Sequence, residues 1–325
     1  MARKRFSLHK TVTLCLMAFL VQGLAACATP VHRTGQPVVQ LQLQSSSEAV
    51  GLRRYAGDGA RILLVGNPGI SPLLFDVPGY GGLAPYLQNQ GFDVWVVDWK
   101  ELPLHQDLAG LTRWLNEVLV HVGQDDEVTV LAHGLGGIPA VLAHTEHVQR
   151  YVFLATPGDL GKPLDPIASL AGRVWSRPHS LSDASPRGET PAQTQGRLEA
   201  LLWNFGTHPV DANKLVQLFS PLGPALLQDL STAIDRGGWG AAFEDQLAAI
   251  SVPVTVLVGQ TDAVAPPWQS HELYRKASSG TKYYRFFSRA LGQQREYGHL
   301  SLVLGDDAVR EIYPFILRAV TLETP

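Results

Sequence analysis

The chain has 325 residues, 45% hydrophobic and 17% charged, and its 26 basic and 29 acidic side chains leave a formal charge of -3. That composition is globular and excludes a collagenous or wholly disordered chain, while two cysteines, Cys15 and Cys27, are too few for a disulfide framework or a cysteine-built zinc site. With no run of Lys or Arg beyond the N-terminus, it carries no electrostatic footprint for nucleic acid, and no such partner is expected.

Arg3, Lys4, Arg5 and Lys10 precede an apolar stretch at 11–24 and the small pair Ala25 and Ala26, the order of a secretory leader. Gln22 and Gly23 interrupt the stretch, which is too short for a spanning helix of ~20 residues. The run Leu24-Ala25-Ala26-Cys27 resembles the lipobox of bacterial lipoproteins. The resemblance implies that residues 1–26 are removed and that Cys27 takes lipid and becomes the new N-terminus. Ala28, where a retained inner-membrane lipoprotein has Asp, implies the outer membrane, facing the periplasm. Loss of the leader removes four basic residues and leaves a net charge of -7, so lipid rather than a basic surface is the expected anchor. Residues 27–36, polar with Pro30 and Gly35, read as a tether.

Beyond the tether, residues 38–43 alternate apolar and polar and are expected to pair with 51–55 as an edge hairpin, with Ser45, Ser46 and Ser47 in the turn. Short runs rich in Val, Ile, Phe and Tyr follow at 61–66, 92–99, 127–132, 151–155, 252–259 and 283–287 and read as buried parallel strands. Helix-length segments at 82–90, 108–122 and 137–144 alternate with them. This predicts an α/β fold with a mostly parallel, doubly wound sheet of about eight strands. The strand rhythm stops between 159 and 247, where a loop rich in Pro, Ser and Arg (176–194) precedes helical stretches near 196–204, 213–219 and 224–236. An insertion leaving the carboxyl ends of strands is placed to cover a ligand crevice, so 159–247 is expected to form a lid, with the core made of 37–158 and 248–325.

The strand at 128–131 runs into Ala132-His133-Gly134-Leu135-Gly136-Gly137 and then a helix. This strand, sharp turn and helix resembles the nucleophile elbow of the α/β-hydrolase family, G-x-S-x-G, with Gly134 at the central position. The stretch from Phe75 to Trp99, with its run Leu87-x-x-Gln90-Gly91-Phe92-Asp93-Val94-Trp95-x-x-Asp98-Trp99, is most similar to the polyhydroxyalkanoate-synthase and lipase-like branch of that family. The resemblance implies that Asp262, after the strand ending near Val258, is the acid, and that His299, in Tyr297-Gly298-His299-Leu300, is the base. It also implies oxyanion donors from the backbone of Leu135 and from the turn Asn67-Pro68-Gly69-Ile70. Proline has no N–H, so Gly69 or Ile70 supplies the second one.

A carboxylate fixes the tautomer of an imidazole, and the imidazole then accepts the proton of the attacking group. Gly134 brings no hydroxyl, so no acyl-enzyme forms there. Glycine also enters a left-handed elbow without strain, whereas serine is expected to cost ~1–3 kcal/mol on that ground alone. Other nucleophiles read weakly: His133 as packing, Ser301 as too far along the following helix, His144 and His147 as solvated rather than metal ligands, and Trp99, after Asp98, as core or crevice wall. No metal or cofactor is expected. Two functions stay open: an envelope lipoprotein that binds an acyl or ester ligand, or a partner protein, without serine-type catalysis; or a hydrolase or acyltransferase in which His299 and Asp262 activate water.

Overall fold

The computed structural model describes residues 38–44, 49–77, 82–99, 106–124, 126–160, 218 and 222–321. The leader, Cys27, the tether, the serine turn and the helical stretches expected at 196–204 and 213–219 lie outside the described residues, apart from Leu218.

Eight strands form one sheet: β1 (Val39–Gln44), β2 (Ala49–Tyr55), β3 (Arg61–Val65), β4 (Asp93–Asp98), β5 (Val128–His133), β6 (Val148–Leu154), β7 (Val254–Gly259) and β8 (Lys282–Phe287), in the order β1-β2-β4-β3-β5-β6-β7-β8. β1 pairs antiparallel with β2, Val39 opposite Arg54, and β2 antiparallel with β4; all pairs from β4 to β8 are parallel. β5 and β7 are buried along their whole length, as their near-continuous apolar sequences require of strands covered on both faces.

Eight helices flank the sheet among the described residues: α1 (Leu83–Asn89), α2 (Leu108–Val122), α3 (Gly137–Leu142), α4 (Pro224–Arg236), α5 (Ala241–Ala249), α6 (Pro267–Lys276), α7 (Asp306–Glu311) and α8 (Tyr313–Thr321). Successive strand residues point to opposite faces, so Ile62, Leu64, Val94 and Val96 meet Leu83, Leu87 and Ile316, whereas Leu63, Val65, Trp95 and Val97 meet Leu115, Leu119 and Ile138. The carboxylate of Asp107 caps α2 by accepting from Gly110 N at 2.7 Å, and its Leu111, Leu115, Val118 and Val122 form one buried stripe.

Two boundaries differ from the sequence expectation by more than two residues or in what they enclose. The strand expected to start at 151 begins at Val148, because Val148 is buried beside Val128. The described end of the insertion is a packed layer: Leu222, Leu226, Phe243 and Leu247 join the same core as α2 and α3, and the boundary expected at 247 falls inside α5. No helix among the described residues is long and apolar enough to cross a membrane.

Candidate functional site

Parallel strands bring their carboxyl ends to one side of the sheet, and the residues that follow β3, β5 and β7 meet there. After β5 the chain turns sharply. Gly134 has φ +56°, a single 3-10 turn runs Gly134–Gly136, and α3 starts at Gly137. After β7, Asp262 sits with one carboxylate oxygen accepting from Val264 N and Ala265 N, both at 2.8 Å. Its other oxygen lies 2.9 Å from His299 Nδ1, and both side chains are wholly buried. Thr261 Oγ1 donates to Tyr297 O at 2.9 Å, and Tyr297 Oη donates to Glu311 at 2.6 Å, so the loop carrying His299 is tied to the loop carrying Asp262.

The residue that the sequence reading missed is Asn67, fully buried at the end of β3. Its Oδ1 accepts from Leu135 N at 2.5 Å, and its Nδ2 lies 3.4 Å from His299 Nε2 and 3.3 Å from His133 Nδ1. His133 Nε2 in turn lies 3.0 Å from the carbonyl oxygen of His299, and the two imidazoles pack with centroids 4.5 Å apart.

One assignment of protons satisfies every contact. The Leu135 amide can only donate, so the atom facing it is the carboxamide oxygen, and the carboxamide nitrogen then donates to both rings. His299 gives its Nδ1 proton to Asp262 and accepts at Nε2; His133 gives its Nε2 proton to the His299 carbonyl and accepts at Nδ1. Desolvation by burial, and secondly the nearness of His299, hold the His133 imidazole well below its ordinary value of 6.5, which keeps the acceptor nitrogen free of a proton.

Asn67 also fills the space beside Gly134. A Cβ built there would lie 2.8 Å from Asn67 Cγ and Nδ2 and closer still to Oδ1. The expectation that serine would cost only the strain of a left-handed backbone is therefore too low. Asn67 would also have to leave and give up its bond to Leu135.

Of the donors expected for an oxyanion, the Leu135 amide is held by Asn67, and the Ile70 amide donates to Asn67 O at 3.0 Å, closing a turn in which Gly69 has φ +79°. Gly69 is the residue of that turn on which the expectation still rests. Ser301 Oγ is buried and bonded to the Gly298 backbone at 2.7 and 3.2 Å, on a 3-10 turn rather than the helix expected. His144 is half-buried, 2.9 Å from Tyr151 Oη, instead of simply solvated, and burial lowers its pKa. Trp99 is core: it stacks on Trp114 at 5.0 Å and donates to Gly66 O at 2.7 Å. Asp98 pairs with Arg53 at 3.6 Å. Among the described residues no group of three His, Cys, Asp or Glu could hold a metal ion.

Beside the elbow lies an apolar cleft walled by Pro68, Leu111, Leu135, Ile138, Leu226 and Trp239, whose indole N–H is satisfied by Pro157 O at 3.0 Å.

The depressed His133 pKa has a thermodynamic consequence. The unfolded chain binds a proton near pH 6.5 that the folded chain refuses, so stability falls as pH drops below that value and is unaffected above it. Urea denaturation at about pH 5 to 7 is expected to show His133→Gln reducing this slope by up to about 1.4 kcal/mol per pH unit. An unchanged slope would show that His133 is not the group responsible.

The fold has many solved counterparts. The enol-lactonase from Burkholderia xenovorans is 15% identical at TM-score 0.61, covering 86% of this chain and 100% of that one. An esterase from Thermogutta terrifontis is 18% identical at TM-score 0.59, covering 89% and 100%. A monoacylglycerol lipase from Paleococcus ferrophilus is 17% identical at TM-score 0.55, covering 84% and 99%. At these identities the likeness establishes the α/β-hydrolase fold and nothing finer. No protein-family model and no curated protein matches the sequence.

Proposed function

We propose that this chain is a lipid-anchored envelope protein that uses the α/β-hydrolase scaffold to bind an acyl or ester-type ligand without serine-type catalysis. The observation that carries the reading is the Asn67 carboxamide seated against Gly134, where a covalent mechanism needs a hydroxyl. Pro68, Leu135 and Leu226 form apolar walls next to that centre with room between them for about one water-sized group, so on this reading an alkyl chain binds there by parting them. Cys27, outside the described residues, is the proposed anchor through its lipobox-like context, with the periplasmic face of the outer membrane as the proposed location.

The pairing of His299 with Asp262 at 2.9 Å favours a second reading, a hydrolase or acyltransferase that activates water. In it Asn67 must leave Nε2, because a lone pair already engaged by an N–H does not take a proton from water.

Titration of the purified protein with dansylated undecanoic acid tests the binding reading. Saturable binding is expected, weakened about tenfold or more by Leu230→Trp, which sets a large ring on another of the residues lining those walls, a loss of about 1.4 kcal/mol of affinity. Absence of binding, or equal binding by that variant, would remove the cleft from the proposal. Fractionation of cells carrying Cys27→Ser is expected to move the protein out of the membrane pellet; retention there would remove the anchor.

A further inference from the structure

Resting on the reading that no nucleophile is present, we infer that Asn67 is a built-in occupant of the vacated reaction centre. It silences the pair of His299 and Asp262 jointly with Gly134, and acts as a positioning residue for both histidines.

Three observations converge on it. Its carboxamide stands in the volume that a side chain at position 134 would need, with Cγ and Nδ2 2.8 Å from the ideal Cβ. Its oxygen holds the Leu135 amide at 2.5 Å, the place of an acyl oxygen, while its nitrogen approaches His299 Nε2 at 3.4 Å, the place of a nucleophilic O–H. It is buried and fixed by the turn that Ile70 N closes onto its own carbonyl at 3.0 Å.

Few side chains could do this. The site asks for one acceptor and two donors on a single planar group. Aspartate would turn lone pairs on both imidazole acceptors, alanine would leave the Leu135 amide and the two rings unpaired, and glutamine is one methylene too long for a packed site. Catalysis is thus locked twice. A side chain at 134 meets Asn67 already at its Cβ, and loss of Asn67 alone provides no hydroxyl.

The test treats five purified proteins with a fluorophosphonate: the unmodified chain, Gly134→Ser, Asn67→Ala, the double variant, and the double variant with His299→Ala. In the labelling reaction the serine oxygen bonds phosphorus, fluoride leaves, and the hydroxyl proton passes to His299 Nε2. The double variant is expected to be labelled at position 134 about a hundredfold faster than Gly134→Ser, the scale of general-base assistance, and His299→Ala is expected to abolish the gain. Labelling of Gly134→Ser as fast as the double variant would overturn the inference and leave the proposed function standing. So would a folded double variant that stays unlabelled. Stoichiometric labelling of the unmodified chain would overturn the proposed function itself.

A second measurement does not depend on reactivity. Gly134→Ala is expected to lower the melting temperature more in the native background than in Asn67→Gly, because left-handed strain is common to both and only the collision differs. Equal decrements would overturn the inference.

Discussion

Asp262→Ala is expected to destabilise the protein by about 3–5 kcal/mol, since each donor left without its acceptor in a buried site costs about 1–3 kcal/mol. Three donors lose their acceptor at once: the amides of Val264 and Ala265 and Nδ1 of His299. Two of them, the Ala265 amide and His299 Nδ1, sit in buried bonds that water does not replace. The corresponding drop in melting temperature is roughly 10 °C. Asp262→Asn is expected to recover part of the loss, because its oxygen can still accept from the two amides. It forces His299 to accept at Nδ1 and carry its proton on Nε2, where that proton confronts the Asn67 NH₂. Asp262→Ala within about 1 kcal/mol of the native chain would contradict the network, since that is the scale of an ordinary single substitution.

Gly136→Ala is expected to cost about 3 kcal/mol through backbone that cannot rotate away. A Cβ at Gly136 would fall on the carbonyl oxygen of Gly66 and 2.6 Å from that of Val65. This contact presses the start of α3 onto the end of β3, and it sets Asn67 and Gly134 against each other. Gly280→Ala is the control: a Cβ there meets nothing within 4 Å, so its effect is expected within about 0.5 kcal/mol of zero. Equal midpoints for the two variants in chemical denaturation would show that the elbow does not depend on the close approach.

The sheet was legible in the sequence because its strands are apolar on both faces and so announce themselves without a partner. Residues 128–131 and 254–258 needed no tertiary information, and even the edge hairpin was visible from its alternation. α5, α6, α7 and α8 were not singled out. α5 is an Ala-rich stretch with only Phe243 and Leu247 buried, too sparse a stripe to declare a face. α6 carried one missed signal, Pro267 in its first turn.

In the site, the strand ends bearing Gly134, Asp262 and His299 could be read in order, since each is a local pattern. Asn67 could not, because its role exists only across separations of 66 residues to His133 and 232 residues to His299. The sequence showed Asn67-Pro68-Gly69-Ile70 as a turn with backbone donors, and the Ile70 amide proved to close that turn. The usable clue was chemical: a carboxamide at a strand end beside a glycine elbow.

The most direct test of the non-catalytic reading is hydrolysis of a short-chain p-nitrophenyl ester by the purified unmodified protein, side by side with His299→Ala and Asp262→Asn. All three are expected to match one another at the rate of a folded protein without a site, because the imidazole faces Asn67 and Gly134 brings no hydroxyl. Turnover by the unmodified chain that disappears in both variants would contradict that result and make His299 a working base.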